Sequence, residues 1–407
     1  MTDIDIYHPD KYVEDVPYDD FARLRQEAPI YHHADPELPE GYWCISRHAD
    51  VMFVSRHPDA FSSYERTAML GEFDGDSLFK QQLIMLNMDD PEHTRLRSLV
   101  NRGFTPRMVQ RLEERSKAIC ADLLDKALAQ GDGDFVTLCS AELPLIMIAE
   151  LMGVPQEDRH KLFDWSNTMI GFDDPDFTNT PEDAERAAME IMMYAQELGQ
   201  AKRAAPTGDI VSKLVSADEE GNVLSDLEFD MFFILLAVAG NETTRNAISG
   251  GMRALIEHPD QWARLKADPS LVTTAIEEMV RWVSPVMQFR RTAMRDIEVG
   301  GQLIKKGDKV VIYYSSANRD ETVFENPDTF DVGRDPNPHI GYGGGGPHFC
   351  LGSHLARLEL HTFFSALVER VDRVELTGPI RRLRSNFING IKEMPVRFVP
   401  AEEAARG

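Results

Sequence analysis

The sequence predicts a mainly α-helical protein with a minor β region. Three observations carry that prediction: long stretches with apolar residues at helical spacing and capping signals at their ends, β-forming residues confined to a few short runs, and no repeat or low-complexity linker. Residues 106–130 open with Pro106 after Thr105 and stop at Gly131. Residues 181–203 open with Thr180 and Pro181, and proline is tolerated in a first turn because its missing N–H has no helical partner there. Ser225 with Glu228 makes a capping box, and the pattern behind it runs without proline to His258 and Pro259. A helix of that length spans about 45 Å. Its middle, Met231 to Ala239, is apolar on every side, so other helices must cover it and it is expected to cross the centre of the molecule. Further helices are expected over 271–282 and 353–371, and strands over 41–46, 287–293, 309–314 and 395–399. With nothing dividing the chain, residues 1–407 read as a single domain.

A hydrophobic fraction of 43% and a charged fraction of 27% lie in the globular range and supply a substantial core. Lys and Arg number 43 against 68 Asp and Glu, a formal net charge of −25. Nucleic acid and anionic membrane surfaces both demand a basic face, so neither is expected as the main partner. Cys44, Cys120, Cys139 and Cys350 are far apart and form no CxxC, which points to a reducing cytoplasm, with neither a disulfide framework nor a zinc site. Met1 to Asp5 lacks the basic and apolar regions of a signal peptide, and no window approaches about 18 uninterrupted apolar residues, so neither export nor a membrane anchor is expected.

The most informative segment is Gly341-Tyr342-Gly343-Gly344-Gly345-Gly346-Pro347-His348-Phe349-Cys350-Leu351-Gly352, which delivers a cysteine to a helix start. Unpaired N–H groups and the positive end of the helix dipole favour a thiolate there, and the glycines would let a flat cofactor approach the backbone. On these residues alone, several readings compete. Gly341, Gly343 and Gly346 match a dinucleotide fingerprint, but Pro347 follows and no βαβ unit surrounds them. Cys350 with His348 could be a nucleophile and its base. A buried structural cysteine is the plain alternative.

Ala239-Gly240-Asn241-Glu242-Thr243-Thr244-Arg245 sits inside the apolar helix, where an acid and two hydroxyls are costly unless paired or used. Gly240 suggests close approach of a ligand or a local opening. Thr243 and Glu242 would make a proton-delivery pair. The plainer alternative bonds Thr243 back to a carbonyl one turn earlier and pairs Glu242 with Arg245. Glu278 and Arg281, three apart on a helix, form an ion pair of a kind common on surfaces.

Together these residues resemble the cytochromes P-450. The order is Ala-Gly-x-Glu-Thr-Thr (239–244), Glu-x-x-Arg (278–281), Phe324-x-x-Pro327-x-x-Phe330 with Arg334, then the cysteine loop, and the resemblance extends from Trp43 to Phe398. It implies a fold with haem b between the long central helix and the helix behind the Cys-loop, Cys350 binding iron as a thiolate that favours O–O cleavage. Glu278, Arg281 and Arg334 become a buried triad supporting the loop. The propionates fall to His93, Arg97, Arg291 and His348, and the distal apolar wall to Ala239, Val286, Met287 and Ile388. One departure concerns the loop: Gly343 stands seven residues before the cysteine, where the family has Phe, and Tyr342 stands eight before.

The resemblance further implies a monooxygenase hydroxylating an unactivated C–H of a lipophilic substrate with O2, protons reaching the site through Thr243 and Glu242. Electrons would come from a ferredoxin and its reductase, docking on a basic patch with Arg102, Arg107 and Arg357 as candidates. A monomer is expected. Gly240 to Asn246, with Ser385 to Gly390, is similar to bacterial members acting on methyl-branched lipids, steroid side chains or acyclic terpenes such as linalool. The loop at 63–88 and the helices at 155–200 would form the access lid. A peroxide-driven peroxygenase and a non-catalytic haem sensor are the rivals, and Glu242 with Thr243 disfavours both.

Overall fold

A computed structural model of the chain describes residues 4–101, 106–177, 180–216 and 223–401. The helices that build the site are α1 (His48–Arg56), α2 (Glu92–Asn101), α3 (Pro106–Gln130), α4 (Arg159–Ile170), α5 (Pro181–Ala204), α6 (Asp226–Glu257), α7 (Val272–Val283) and α8 (Ser353–Arg370). Their boundaries follow from local chemistry. The Ser225 N–H donates to Glu228 Oε2 at 2.8 Å and the Glu228 N–H to Ser225 Oγ at 3.3 Å, so the capping box starts α6 where expected. Thr180 and Asp183 do the same for α5, whose first residue is Pro181. Gly131, at φ +79°, ends α3.

α6 is the axis of the molecule. It packs against α4, α5, α7, α8 and the helix Glu142–Met152, and its residues are buried on almost every side. α3 lies along α8, so the helix behind the cysteine is itself covered.

The β region has one five-stranded sheet, built from β1 (Ile30–Asp35), β2 (Leu38–Ile45), β3 (Phe61–Ser62), β4 (Gln288–Ala293) and β5 (Lys309–Tyr313) in the order β1-β2-β5-β4-β3. β2 and β5 run parallel, with Trp43 opposite Val310, and Val310 in turn faces Arg291 on antiparallel β4. The expected strands at 41–46, 287–293 and 309–314 are thus neighbours. The run at 395–399 lies in Pro395–Pro400, between Asp132–Asp134 and Val371–Leu376 in a separate sheet. β1 carries a polar, histidine-rich sequence and gave no strand signal. Among the described residues no helix is long and apolar enough to cross a membrane.

Candidate active site

The cysteine loop closes between α7 and α8. The Cys350 N–H donates to the Tyr342 carbonyl at 2.9 Å, and α8 starts three residues later. Cys350 is exposed although it lies deep in the fold. Burial raises its thiol pKa, while the Gly352 and Ser353 N–H groups at the helix start, and the charges of Arg97 and Arg357, pull it back.

The glycine run answers to a helix. A Cβ on Gly346, at φ +80°, would lie 2.3 Å from the Ser55 carbonyl oxygen, and one on Gly344 would lie 2.7 Å from Ser55 Oγ. The C-terminal end of α1 therefore presses on the loop, and these glycines serve that contact where the sequence suggested room for a flat cofactor. Gly240 is corrected in the same way: its Cβ would meet Ile148 Cδ1 at 2.7 Å, so the close approach there is an isoleucine.

Beneath the loop, Glu278 is fully buried and accepts Arg281 Nε at 2.7 Å, Arg281 Nη2 at 2.8 Å, Arg334 Nε at 3.0 Å and the Asp331 N–H at 3.0 Å. Arg281 also donates to the carbonyls of Asn318 and Pro327 at 2.8 and 2.9 Å, which fixes the segment leading to the loop. The adjacent Glu277 forms a second, unforeseen tie. It accepts Arg357 Nε at 2.7 Å and faces His339 Nε2 at 2.9 Å, and the Arg357 guanidinium lies 4.2 Å from the Tyr342 ring centroid. Arg357 is thus committed to the loop's support. Arg102 lies outside the described residues, and so does the side chain of Arg107.

His93 and His348 meet with ring centroids 4.2 Å apart. His348 Nε2 faces Ser63 Oγ at 3.2 Å, Arg97 donates to the Phe349 carbonyl, and Arg291, on β4, donates to the Arg290 carbonyl at 2.7 Å. Among the described residues no carboxylate bonds to any of the four, although Asp89 and Asp90 act on His93 and Asp89 on Arg291 through their charges, and His93 Nδ1 is buried without a partner. Burial and the charges of Arg291, His93 and Arg97 push His348 down to about 2. Burial and Arg97 lower His93 likewise. Buried cations and imidazoles that repel one another are what a pair of carboxylates would relieve, so this donor set fits the two propionates of haem.

On α6, Ala239 is exposed and Gly240 and Thr243 are partly so, in the middle of an otherwise buried helix. The Thr243 hydroxyl donates to the Ala239 carbonyl at 3.0 Å, and Glu242 pairs with Arg245. Both bonds are the plainer alternative, and the structure does not bring Glu242 to Thr243. Val286 and Ile388 form a β-bridge and pack with Phe289, Phe387, Met69, Ile170 and Phe177. Met287 does not join them. Strand alternation turns it to the opposite face, where it is fully buried among Tyr42, Val311 and Tyr313, so its expected place on the distal wall is corrected.

Residues 268–380 match the family model described as Cytochrome P450. The steroid C26-monooxygenase of Rhodococcus jostii (strain RHA1) is 48% identical over 98% of this chain and 85% of its own length. This chain belongs to the cytochrome P450 family. The methyl-branched lipid omega-hydroxylase of Mycobacterium tuberculosis is 43% identical over 93% of this P450 and 90% of the relative. The structure of Mycobacterium marinum cytochrome P450 CYP268A2 in complex with pseudoionone, 39% identical, superposes with a TM-score of 0.87 over 94% of each chain. The P450 is accordingly a monooxygenase whose cofactor is haem iron with cysteine thiolate ligation.

Proposed function

We propose that this P450 hydroxylates an unactivated C–H of a methyl-branched or steroid-type lipid, with Cys350 as the iron's ligand. The single observation that carries the site assignment is the cluster of His93, Arg97, Arg291 and His348 beside that cysteine, to which no carboxylate bonds among the described residues. In this reading residues 1–407 act as one domain, because the candidate groups come from positions 93 to 388.

When bound, haem b supplies the oxygen activation, and the overall change is RH + O2 + 2 e⁻ + 2 H⁺ → ROH + H2O. The chain supplies everything around it. His93, Arg97, Arg291 and His348 hold the propionates, while the N–H groups of Gly352 and Ser353 stabilise the sulfur's negative charge. Ala239, Val286 and Ile388 contact the substrate and keep water from the reacting carbon. Thr243 Oγ1 hands on protons, and Glu242 restores them after leaving its ion pair with Arg245.

The lipid class rests on the activities of the relatives, steroid C26-monooxygenase and methyl-branched lipid omega-hydroxylase. The apolar ring of Val286, Phe289, Phe387, Ile388 and Met69 supports it. Electrons arrive from a separate ferredoxin and reductase, and the P450 works as a cytoplasmic monomer. A spectral titration with sterols, branched fatty acids and acyclic terpenes tests the reading. Sterols or branched fatty acids should shift the haem spin state at the lowest concentration, and tighter binding of linalool-type terpenes would move the assignment to that class.

A further inference from the structure

Glu242 is 1% exposed, and its one ionic partner among the described residues is Arg245. A buried carboxyl that passes on a proton must then carry a negative charge, and that state needs a cation at hand. Arg245 is that cation and is itself almost fully buried. It donates to Asn167 Oδ1 at 2.9 Å, and its guanidinium lies 5.6 Å from the Phe163 ring centroid. Both residues belong to α4. A second tie lies beside the first, since Ser166 Oγ donates to the Ala237 carbonyl of α6 at 3.2 Å.

The far end of α4 reaches the lipid-facing cluster. Ile170, three residues beyond Asn167, packs against the Leu383, Phe387 and Ile388 group together with Phe177, Val286 and Phe289. One helical turn therefore separates a residue at the substrate wall from the amide that holds Arg245.

We propose that Arg245 and Asn167 are positioning residues for Glu242, and that the seating of α4 on α6 links occupancy of the lipid pocket to proton supply. The proposal rests on the reading of Glu242 as the proton carrier. Asn167 fixes Arg245, Arg245 sustains the carboxylate, and a substrate packed against Ile170 firms that contact. Breaking the link slows return of the proton, so NADH-driven product forms more slowly. Turnover driven by hydrogen peroxide, RH + H2O2 → ROH + H2O, brings its own protons and oxygen and escapes the loss.

The test compares the haem-loaded wild type with Asn167→Leu, Arg245→Gln and their double variant, and with Glu242→Gln as a control. Amide hydrogen exchange is followed across 159–170 with and without substrate. Each single variant should speed exchange in α4 and weaken its slowing by substrate. Each should lower the rate of NADH-driven product formation by about threefold or more while the peroxide-driven rate changes less than about twofold. The double variant should lose little beyond either single one, because both break the same link. Should Arg245→Gln fail to fold, Asn167→Leu carries the test alone. Unchanged exchange in α4, an equal fall of both routes, or additive losses overturns the proposal while Glu242→Gln still loses NADH-driven product. An unchanged Glu242→Gln overturns the proton role itself, and this proposal with it.

Discussion

The backbone of Cys350 donates to the carbonyl of Tyr342 at 2.9 Å, so the residue eight positions before the cysteine closes the loop that presents it. The Tyr342 ring is clamped by the Arg357 guanidinium at 4.2 Å and tilts against His339 at 5.8 Å. Tyrosine thus ties the loop to its support from one position before the place of the family's Phe, and Gly343, Gly345 and Gly346 behind it stand at positive φ.

Among the described residues the phenol oxygen of Tyr342 is buried without a partner. Tyr342→Phe removes that oxygen and keeps the ring, so stability to urea should rise by about 1 kcal/mol, with the spectrum of the thiolate-ligated haem unchanged. A loss of stability would show that the hydroxyl is satisfied.

Glu278 holds two arginines at once. Glu278→Ala leaves both guanidiniums without their carboxylate in a dry setting, and should cost about 3–5 kcal/mol with poor haem retention. Urea unfolding followed by circular dichroism checks this, and a cost below about 1 kcal/mol would place the triad among ordinary surface pairs.

Arg291 gives opposite expectations in the two forms of the protein. Without haem it is a buried cation with no acid bonded to it among the described residues, so Arg291→Met should raise the thermal midpoint of the haem-free chain. With haem it loses a propionate partner, and haem should transfer to a scavenging apoprotein about tenfold faster or more. Changes of the same sign in both forms would contradict the propionate assignment.

Glu277 sets an acid limit on the loop. Burial favours its neutral form, but the bonds from His339 and Arg357 outweigh burial and hold its pKa at about 2, against an ordinary 4.5. A lowered folded value stabilises the native state fully above pH 4.5, and that contribution fades as pH falls toward 2. Partial exposure reduces it to about 1–2 kcal/mol. Urea midpoints of wild type and Glu277→Gln should differ at pH 7 and converge as pH falls from 4.5 to 2; a gap independent of pH would remove the carboxylate from the explanation.

Much of this architecture was legible because its signals are local. Ser225 with Glu228, Thr180 with Pro181, and Pro106 with Gly131 fix helix ends within one turn of sequence, and the apolar midsection of α6 announces its own burial. The residues of the triad, and those proposed to hold the propionates, are named by their motifs. Contacts between distant segments were not legible. Nothing in the glycine run reveals that Ser55 presses on it, and nothing around Asn167 points to Arg245, 78 residues away. Met287 was misplaced because adjacent strand residues face opposite sides, and the register that decides between them is set by the partner strand.

The carbon monoxide complex of the reduced, haem-loaded protein reports on the sulfur–iron bond at Cys350. A thiolate opposite carbon monoxide should give a far red-shifted Soret band, lost in Cys350→Ala together with all turnover. A wild-type band at the position given by a neutral or histidine ligand, or an unchanged band in Cys350→Ala, would contradict it.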